Sequence, residues 1–240
     1  MSTAAPSRRP MDPAVLVARN KEDVLVGDEI IRHKLSSRVV HWIVAVTFFG
    51  CVFTGMPIWT PVFQWMAHLF GGLTVCRVIH PYLGIAFFLA ILFEIFDWAS
   101  DMKFRPDEKG WWGPKLIRYM RWEEMDDETV GKYNGGQKLF FWTAGLGALG
   151  LLLSGLMMWF PQSFPKVLMQ LAYLIHDVTF ILFMVAIVFH IYLGTSAEPG
   201  TFRSMTRGTV TRQWARLHHP RWYRETTGES SAGTADGAKK

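Results

Sequence analysis

Long uncharged apolar runs alternate along this chain with short polar, often basic stretches. The runs are too continuous for a soluble helix, where apolar positions recur only on one face. Val39 to Trp59 is 21 residues without a formal charge, Val78 to Phe96 is 19 with only Glu94 near its end, and Leu139 to Phe160 is 22 without one. A fourth run, Val167 to Thr195, is 29 residues with Asp177 as its single acid. At 1.5 Å of rise per residue, about 20 residues cross the hydrocarbon of a bilayer, so each run predicts a membrane-spanning helix. The spare length of the fourth predicts tilt or a protruding end. The expected fold is all-α: an integral membrane four-helix bundle over residues 37–200, between a polar N-terminal extension, 1–36, and a C-terminal tail, 201–240. The extension carries Pro6, Pro10 and Pro13 and has no short apolar core before a small-residue cleavage site, so no cleaved signal peptide is expected. The Gly, Ser, Ala and Thr-rich stretch from Glu225 to Lys240 predicts a frayed end.

Composition agrees with a membrane protein and excludes disorder: of 240 residues, 50% are hydrophobic and 15% aromatic, and 19% are charged. The cations fix an orientation. Seven Lys and Arg precede the first run, one (Arg77) lies between the first and second, eight between the second and third, one (Lys166) between the third and fourth, and eight follow. Under the positive-inside rule both termini and the middle loop are cytoplasmic. The net charge of +5 therefore sits where anionic headgroups hold it, and no nucleic-acid partner is needed. Two cysteines, Cys51 and Cys76, make no CxxC motif and no iron-sulfur site, and no C-x-x-C-H is present for covalent haem.

Four of the eight histidines, His41, His80, His176 and His190, lie inside or at the ends of the apolar runs. An imidazole in lipid needs a partner, whether a helix-helix hydrogen bond, a transport pathway or a cofactor. Their depths pair them. His41 opens the first span at the cytoplasmic face and His190 closes the fourth there; His80 opens the second span at the outer face and His176 lies near the outer end of the fourth. His176 and His190 are 14 residues apart, about 21 Å of rise and within about 40° of four whole turns, so both project from one face. Opposed imidazoles are the axial ligands of six-coordinate b-type haem, which predicts two haems, one per leaflet. Gly50, Gly55, Gly84, Gly145, Gly147, Gly150 and Gly155 supply the close approach that helices or a flat porphyrin require, although plain helix packing uses glycine in the same way. Asp177 reads as a wet acid at headgroup level, Arg77 as either a propionate partner or an interfacial cation, and Cys51 as a small core residue. His33, His68, His218 and His219 lie outside the spans.

No GxGxxG, P-loop, Ser-His-Asp set or cysteine cluster is present, so no site for hydride, phosphoryl or acyl chemistry is visible. A chain that binds redox centres without a substrate site is an electron-transfer subunit of something larger.

Three segments add a resemblance: Arg77-Val-Ile-His80-Pro-Tyr-Leu-Gly84, Val130-Gly-Lys-Tyr-Asn-Gly-Gly-Gln-Lys138, and Trp214-Ala-Arg-Leu-His-His-Pro-Arg-Trp-Tyr-Arg-Glu225. With Val40-His41-Trp42, Leu174-Ile-His176 and His190-Ile-Tyr192, they resemble the gamma subunit, the cytochrome b, of respiratory membrane-bound formate dehydrogenase, from about residue 35 to 226. The extension before residue 30 is longer than in compact members of that family. The resemblance implies a multi-pass protein of the bacterial cytoplasmic (inner) membrane, with an iron-sulfur beta subunit and a catalytic alpha subunit as partners and no formate site of its own. Electrons would enter at the outer haem of His80 and His176, cross to the haem of His41 and His190, and reduce menaquinone or ubiquinone near the cytoplasmic face. By the same resemblance Asn134, Gly136 and Gln137 form the quinone pocket; from the residues alone, Asn-Gly-Gly is ordinary turn and helix-start chemistry. The rival expectations are the cytochrome b of a nickel-iron hydrogenase, separated here by the loop segments at 130–138 and 214–225, and a cofactor-free membrane anchor.

Overall fold

The computed structural model describes residues 12–121 and 127–229. Pro6, Pro10 and the part of the expected frayed end from residue 230 onward lie outside the described residues; residues 225–227, at the expected start of fraying, are instead helical.

Among the described residues, four helices are long and apolar enough to cross a membrane: α2 (Leu35–Trp59), α3 (Leu73–Trp98), α5 (Gly135–Trp159) and α6 (Lys166–Tyr192), the last continued by a π-helical turn at Leu193–Ala197. They form one compact unit, residues 39–126 and 133–197, with the short helix α4 (Pro114–Met120). α2 and α3 begin four to five residues before the apolar runs do, because hydrogen bonding continues through polar interfacial turns that hydropathy discounts. The midsection is filled by Phe48, Val52, Phe87, Ile91 and Ala148, with Phe183 and Met184 packed against them. Phe48, Phe87 and Phe183 form an aromatic trio with ring centroids 5.7, 5.9 and 6.1 Å apart. Phe183 stands seven residues from His176 and seven from His190, midway between the two histidine depths.

The start of α5 is held by a capping box. Asn134 Oδ1 accepts from the Gln137 amide at 2.8 Å, and Gln137 Oε1 accepts from the Asn134 amide at 3.0 Å, which satisfies two of the helix's orphan donors. One turn of the same helix clamps the loop before α4. Lys138 Nζ meets both Glu108 carboxylate oxygens at 2.8 and 2.7 Å and the Lys103 carbonyl at 3.0 Å, while Trp142 Nε1 donates to the Met102 carbonyl at 3.0 Å. Lys138 and Trp142 are four apart and so share a helix face.

A second unit gathers, of the described residues, 12–38, 127–132 and 198–229. Its described part contains α1 (Pro13–Val17), a three-stranded antiparallel sheet of β1 (Val24–Val26), β2 (Glu29–Ile31) and β3 (Thr209–Thr211), and helices α7 (Thr201–Thr206), α8 (Arg212–His218) and α9 (Pro220–Thr227). β3 pairs with β2 in the register Ile30 to Val210, so the two ends of the chain share one sheet. This sheet is an addition to the expected helices. Its small core is Ile30, Val210, Trp214, Ala215, Trp222 and Tyr223. The Arg32 guanidinium lies 4.8 Å from the Trp214 ring and 5.6 Å from that of Trp222, and donates to the Lys132 carbonyl at 2.7 Å. Gly208 allows the entry to β3: it has φ +86°, and a Cβ there would stand 2.6 Å from the His33 carbonyl oxygen.

His219 is fully buried in this unit and its Nδ1 donates to the Gly131 carbonyl at 2.7 Å. Burial, reinforced by the Arg32 charge, holds its pKa well below the ordinary histidine value. The folded unit thus keeps the ring neutral while the unfolded chain protonates it near the usual pKa of about 6.5. Because the unfolded state then binds more protons, stability is present above that pH and is lost below it, by about 1.4 kcal/mol per pH unit. Hydrogen exchange of β2 and β3 at about pH 7.5 and about pH 5.5 checks this. His219→Gln, which can donate without titrating, should flatten the dependence; an unchanged slope would contradict the assignment.

Candidate haem sites

The four membrane histidines come together as two pairs. His80 on α3 and His176 on α6 have ring centroids 6.3 Å apart with planes at 66°, and His41 on α2 and His190 on α6 have centroids 6.0 Å apart at 54°. α6 supplies one member to each pair, as its 14-residue spacing predicts.

At the first pair both rings are oriented by hydroxyls. Thr54 Oγ1 lies 3.0 Å from His80 Nδ1, and Ser154 Oγ lies 2.9 Å from His176 Nδ1. Each hydroxyl already donates to the carbonyl one turn back in its own helix, Thr54 to Gly50 and Ser154 to Gly150, both at 2.7 Å. With its proton committed, each oxygen accepts from Nδ1–H. Neutral imidazole carries one proton, so Nε2 keeps a free lone pair. Gly55 lets His80 come this close to α2: a Cβ at that position would stand 2.9 Å from His80 Cε1.

The second pair is built differently. His41 Nδ1 lies 3.4 Å from Glu94 Oε1 and its ring packs edge-on to Trp42 at 5.9 Å. Phe140 stacks on His190 at 4.9 Å with the planes 7° apart. Gln137 lies three residues before Phe140 and shares its helix face, about one turn away.

These pairs fit haem. Two imidazoles on opposite sides of one metal ion, each with a metal–nitrogen bond of about 2 Å, put their ring centroids about 6 Å apart, which is the separation of both pairs. Among the described residues no three His, Cys, Asp or Glu cluster to hold a bare ion. Two facing imidazoles would suit an iron whose other four ligands come from a porphyrin, and at the His80/His176 pair each ring would offer its Nε2.

Other residues singled out from the sequence take plainer places. Asn134 and Gln137 cap α5, with Gly136 between them in its first turn. Arg77 is exposed, Asp177 half-buried, Cys51 half-buried and Cys76 buried, both cysteines free. Thr54, Ser154 and Phe140 carry no signal in hydropathy. For the two hydroxyls a pattern was nonetheless present: Gly50-Cys-Val-Phe-Thr54-Gly55 and Gly150-Leu-Leu-Leu-Ser154-Gly155 repeat one motif, Gly-x-x-x-(Ser/Thr)-Gly, on two spans.

Comparison with known proteins agrees with this arrangement. Residues 32–208 match the prokaryotic cytochrome b561 family. The formate dehydrogenase cytochrome b556 subunit of Haemophilus influenzae is 33% identical over 210 residues, covering 86% of this chain and 87% of its own. The nitrate-inducible formate dehydrogenase cytochrome b556(Fdn) subunit of Escherichia coli is 35% identical over 200 residues, covering 82% and 91%. The E. coli cytochrome b556(fdo) subunit is 33% identical over 202 residues, covering 82% and 93%. With four spanning helices and paired membrane histidines, the chain belongs to the prokaryotic cytochrome b561 family, among the cytochrome b subunits of formate dehydrogenase.

Proposed function

We propose that this subunit carries formate-derived electrons from an iron-sulfur beta subunit, itself served by a catalytic alpha subunit, across the bacterial inner membrane to a quinone near the cytoplasmic face. The observation that carries the reading is the pair of imidazole couples, at 6.3 and 6.0 Å, held at two depths by one helix. Haem b, when bound, supplies reversible one-electron exchange between ferric and ferrous iron. His80 and His176 would hold the outer haem, His41 and His190 the inner one. Thr54 and Ser154 keep the outer ligands in the tautomer that offers Nε2, and the aromatic trio around Phe183 keeps the space between the two depths dry and packed.

The basic termini and middle loop support an orientation with the His41/His190 end inward. Formate gives carbon dioxide, one proton and two electrons outside; quinone takes two electrons and two protons inside. Two charges then cross per formate without a proton pump, and proton-motive force builds by a redox loop. A potential negative inside opposes each transfer by about 2.3 kcal/mol per 100 mV, which the potential drop from donor to quinone must exceed.

The quinone acceptor would lie beside the start of α5, where Asn134, Gly136 and Gln137 precede the ring that stacks on His190. Both side-chain carbonyls there are committed to the cap, which leaves the amide N–H donors to address a quinone oxygen. Gln137→Glu keeps the capping acceptor and removes that donor. It is expected to raise the KM for quinone about tenfold, the value of one hydrogen bond of about 1.4 kcal/mol, with haem content and melting temperature unchanged. An unchanged KM would remove Gln137 from the pocket.

The donor is tested in membranes that hold the whole complex. Formate should reduce the b haems and hydrogen should not; reduction by hydrogen alone would favour the nickel-iron hydrogenase alternative.

A further inference from the structure

Spans α2 and α5 repeat more than a hexapeptide. At a constant offset of 100 residues, Gly50, Thr54, Gly55, Trp59 and Pro61 correspond to Gly150, Ser154, Gly155, Trp159 and Pro161. The helix that follows each copy brings in one outer histidine: α3 brings His80 to Thr54, and α6 brings His176 to Ser154. The outer pair is thus flanked by two copies of one pattern, a glycine beside the ring and a hydroxyl one residue earlier that takes its Nδ1–H.

Both hydroxyls are shut away from solvent, with Thr54 at 0% and Ser154 at 3% exposure, so neither is there to meet water. Each also bonds back to its own helix, an arrangement that offers little helix stability by itself. The glycines are not equivalent. A Cβ at Gly55 would stand 2.9 Å from His80 Cε1, whereas one at Gly155 would stand 3.5 Å from His176 Cε1, an ordinary contact. Among the described residues the inner pair shows no such pattern: His41 faces the Glu94 carboxylate at 3.4 Å, and His190 faces the Phe140 ring.

We infer that Thr54 and Ser154 are paired positioning residues of the outer haem: they select the Nε2-ligating tautomer of His80 and His176 and lock the planes of the two rings. The inference rests on the two-haem reading above. An acceptor on Nδ1–H makes the imidazole a stronger donor to iron and favours the ferric state, so its removal raises the midpoint potential of that haem. The angle between the ligand planes, 66° here, is reported by the anisotropy of the low-spin ferric EPR signal.

The test uses the whole complex with Thr54→Val and Ser154→Ala, singly and together, and reads haem per chain, potentiometric midpoints and low-spin EPR. Each single variant should raise one midpoint and shift the largest g-value of one of two signals, leaving the other haem unmoved. The double variant should lose outer haem several-fold, and the hydroxyl-preserving exchanges Thr54→Ser and Ser154→Thr should return wild-type values. Gly55→Ala should disturb the same signal while Gly155→Ala leaves it alone. Unchanged midpoints and g-values in the double variant overturn the inference and leave the two-haem reading standing, as does equal haem loss in Thr54→Ser. A wild-type complex with fewer than two low-spin haems overturns both.

Discussion

Alanine in place of His176 is expected to remove the outer haem, to stop formate-driven quinone reduction by a factor of at least about 10³, and to leave formate oxidation by an artificial dye intact. On the proposed reading the dye-coupled reaction belongs to the partner subunits, and this chain would only relieve them of electrons. The His176 ring lies 6.3 Å from that of His80, and its Nδ1 is held by Ser154. Loss of one axial nitrogen leaves the other ligand alone, and the truncated side chain leaves a hole where an imidazole stood. The steep loss follows because electron transfer must then span nearly the full distance to the inner pair, about 21 Å of helix rise away. Dye and quinone activities measured on the same membranes, with haem quantified, decide it. Loss of dye activity with both haems present would contradict the assignment.

The second large effect is on stability. Lys138 and Glu108 are each 3% exposed, and the ammonium contacts both carboxylate oxygens and a backbone carbonyl. Removing one charge from such a pair strands the other in a low-dielectric site and costs about 3–5 kcal/mol. Lys138→Met is therefore expected to lower the melting temperature of the detergent-solubilised complex strongly. If the proposed quinone site is right, it should also weaken quinone binding, because the clamped segment packs on that helix start: a Cβ at Gly135 would collide with the Trp111 ring. The double exchange Lys138→Met/Glu108→Leu removes both charges and should recover most of the loss. If the double variant is as unstable as the single one, the pair is not the source of the effect.

Much of this protein was legible before its coordinates. Spans and the pairing of the histidines were readable because a bilayer forces long uncharged runs, and a rigid rise per residue converts sequence spacing into facing. The helix starts were less legible: Leu35–Arg38 and Leu73–Arg77 are helical, yet their polar residues end the hydropathy signal. The sheet of the second unit was not legible. Its strands are three residues each, too short for an alternating pattern, and Ile30 finds its partner at Val210 through tertiary packing around Trp214 and Trp222. Thr54 and Ser154 were hidden for another reason. A hydroxyl in an apolar helix ordinarily bonds back to its own backbone, as both do, and only the neighbouring helix reveals the second bond. Asn134 and Gln137 show the converse. The helix start was readable from Asn-Gly-Gly, while the reciprocal cap, and so which side-chain groups it leaves for the proposed quinone contact, appears only in the structure.

The central claim is that two imidazole pairs hold two b haems in each copy of this chain. A dithionite-reduced minus oxidised spectrum of the purified complex, with a pyridine haemochrome count per copy of the subunit, tests it most directly. The account predicts two b haems per chain, falling to one in His176→Ala. A folded complex purified from cells supplied with haem that contains none would contradict it and reduce the four histidines to packing residues of a membrane anchor.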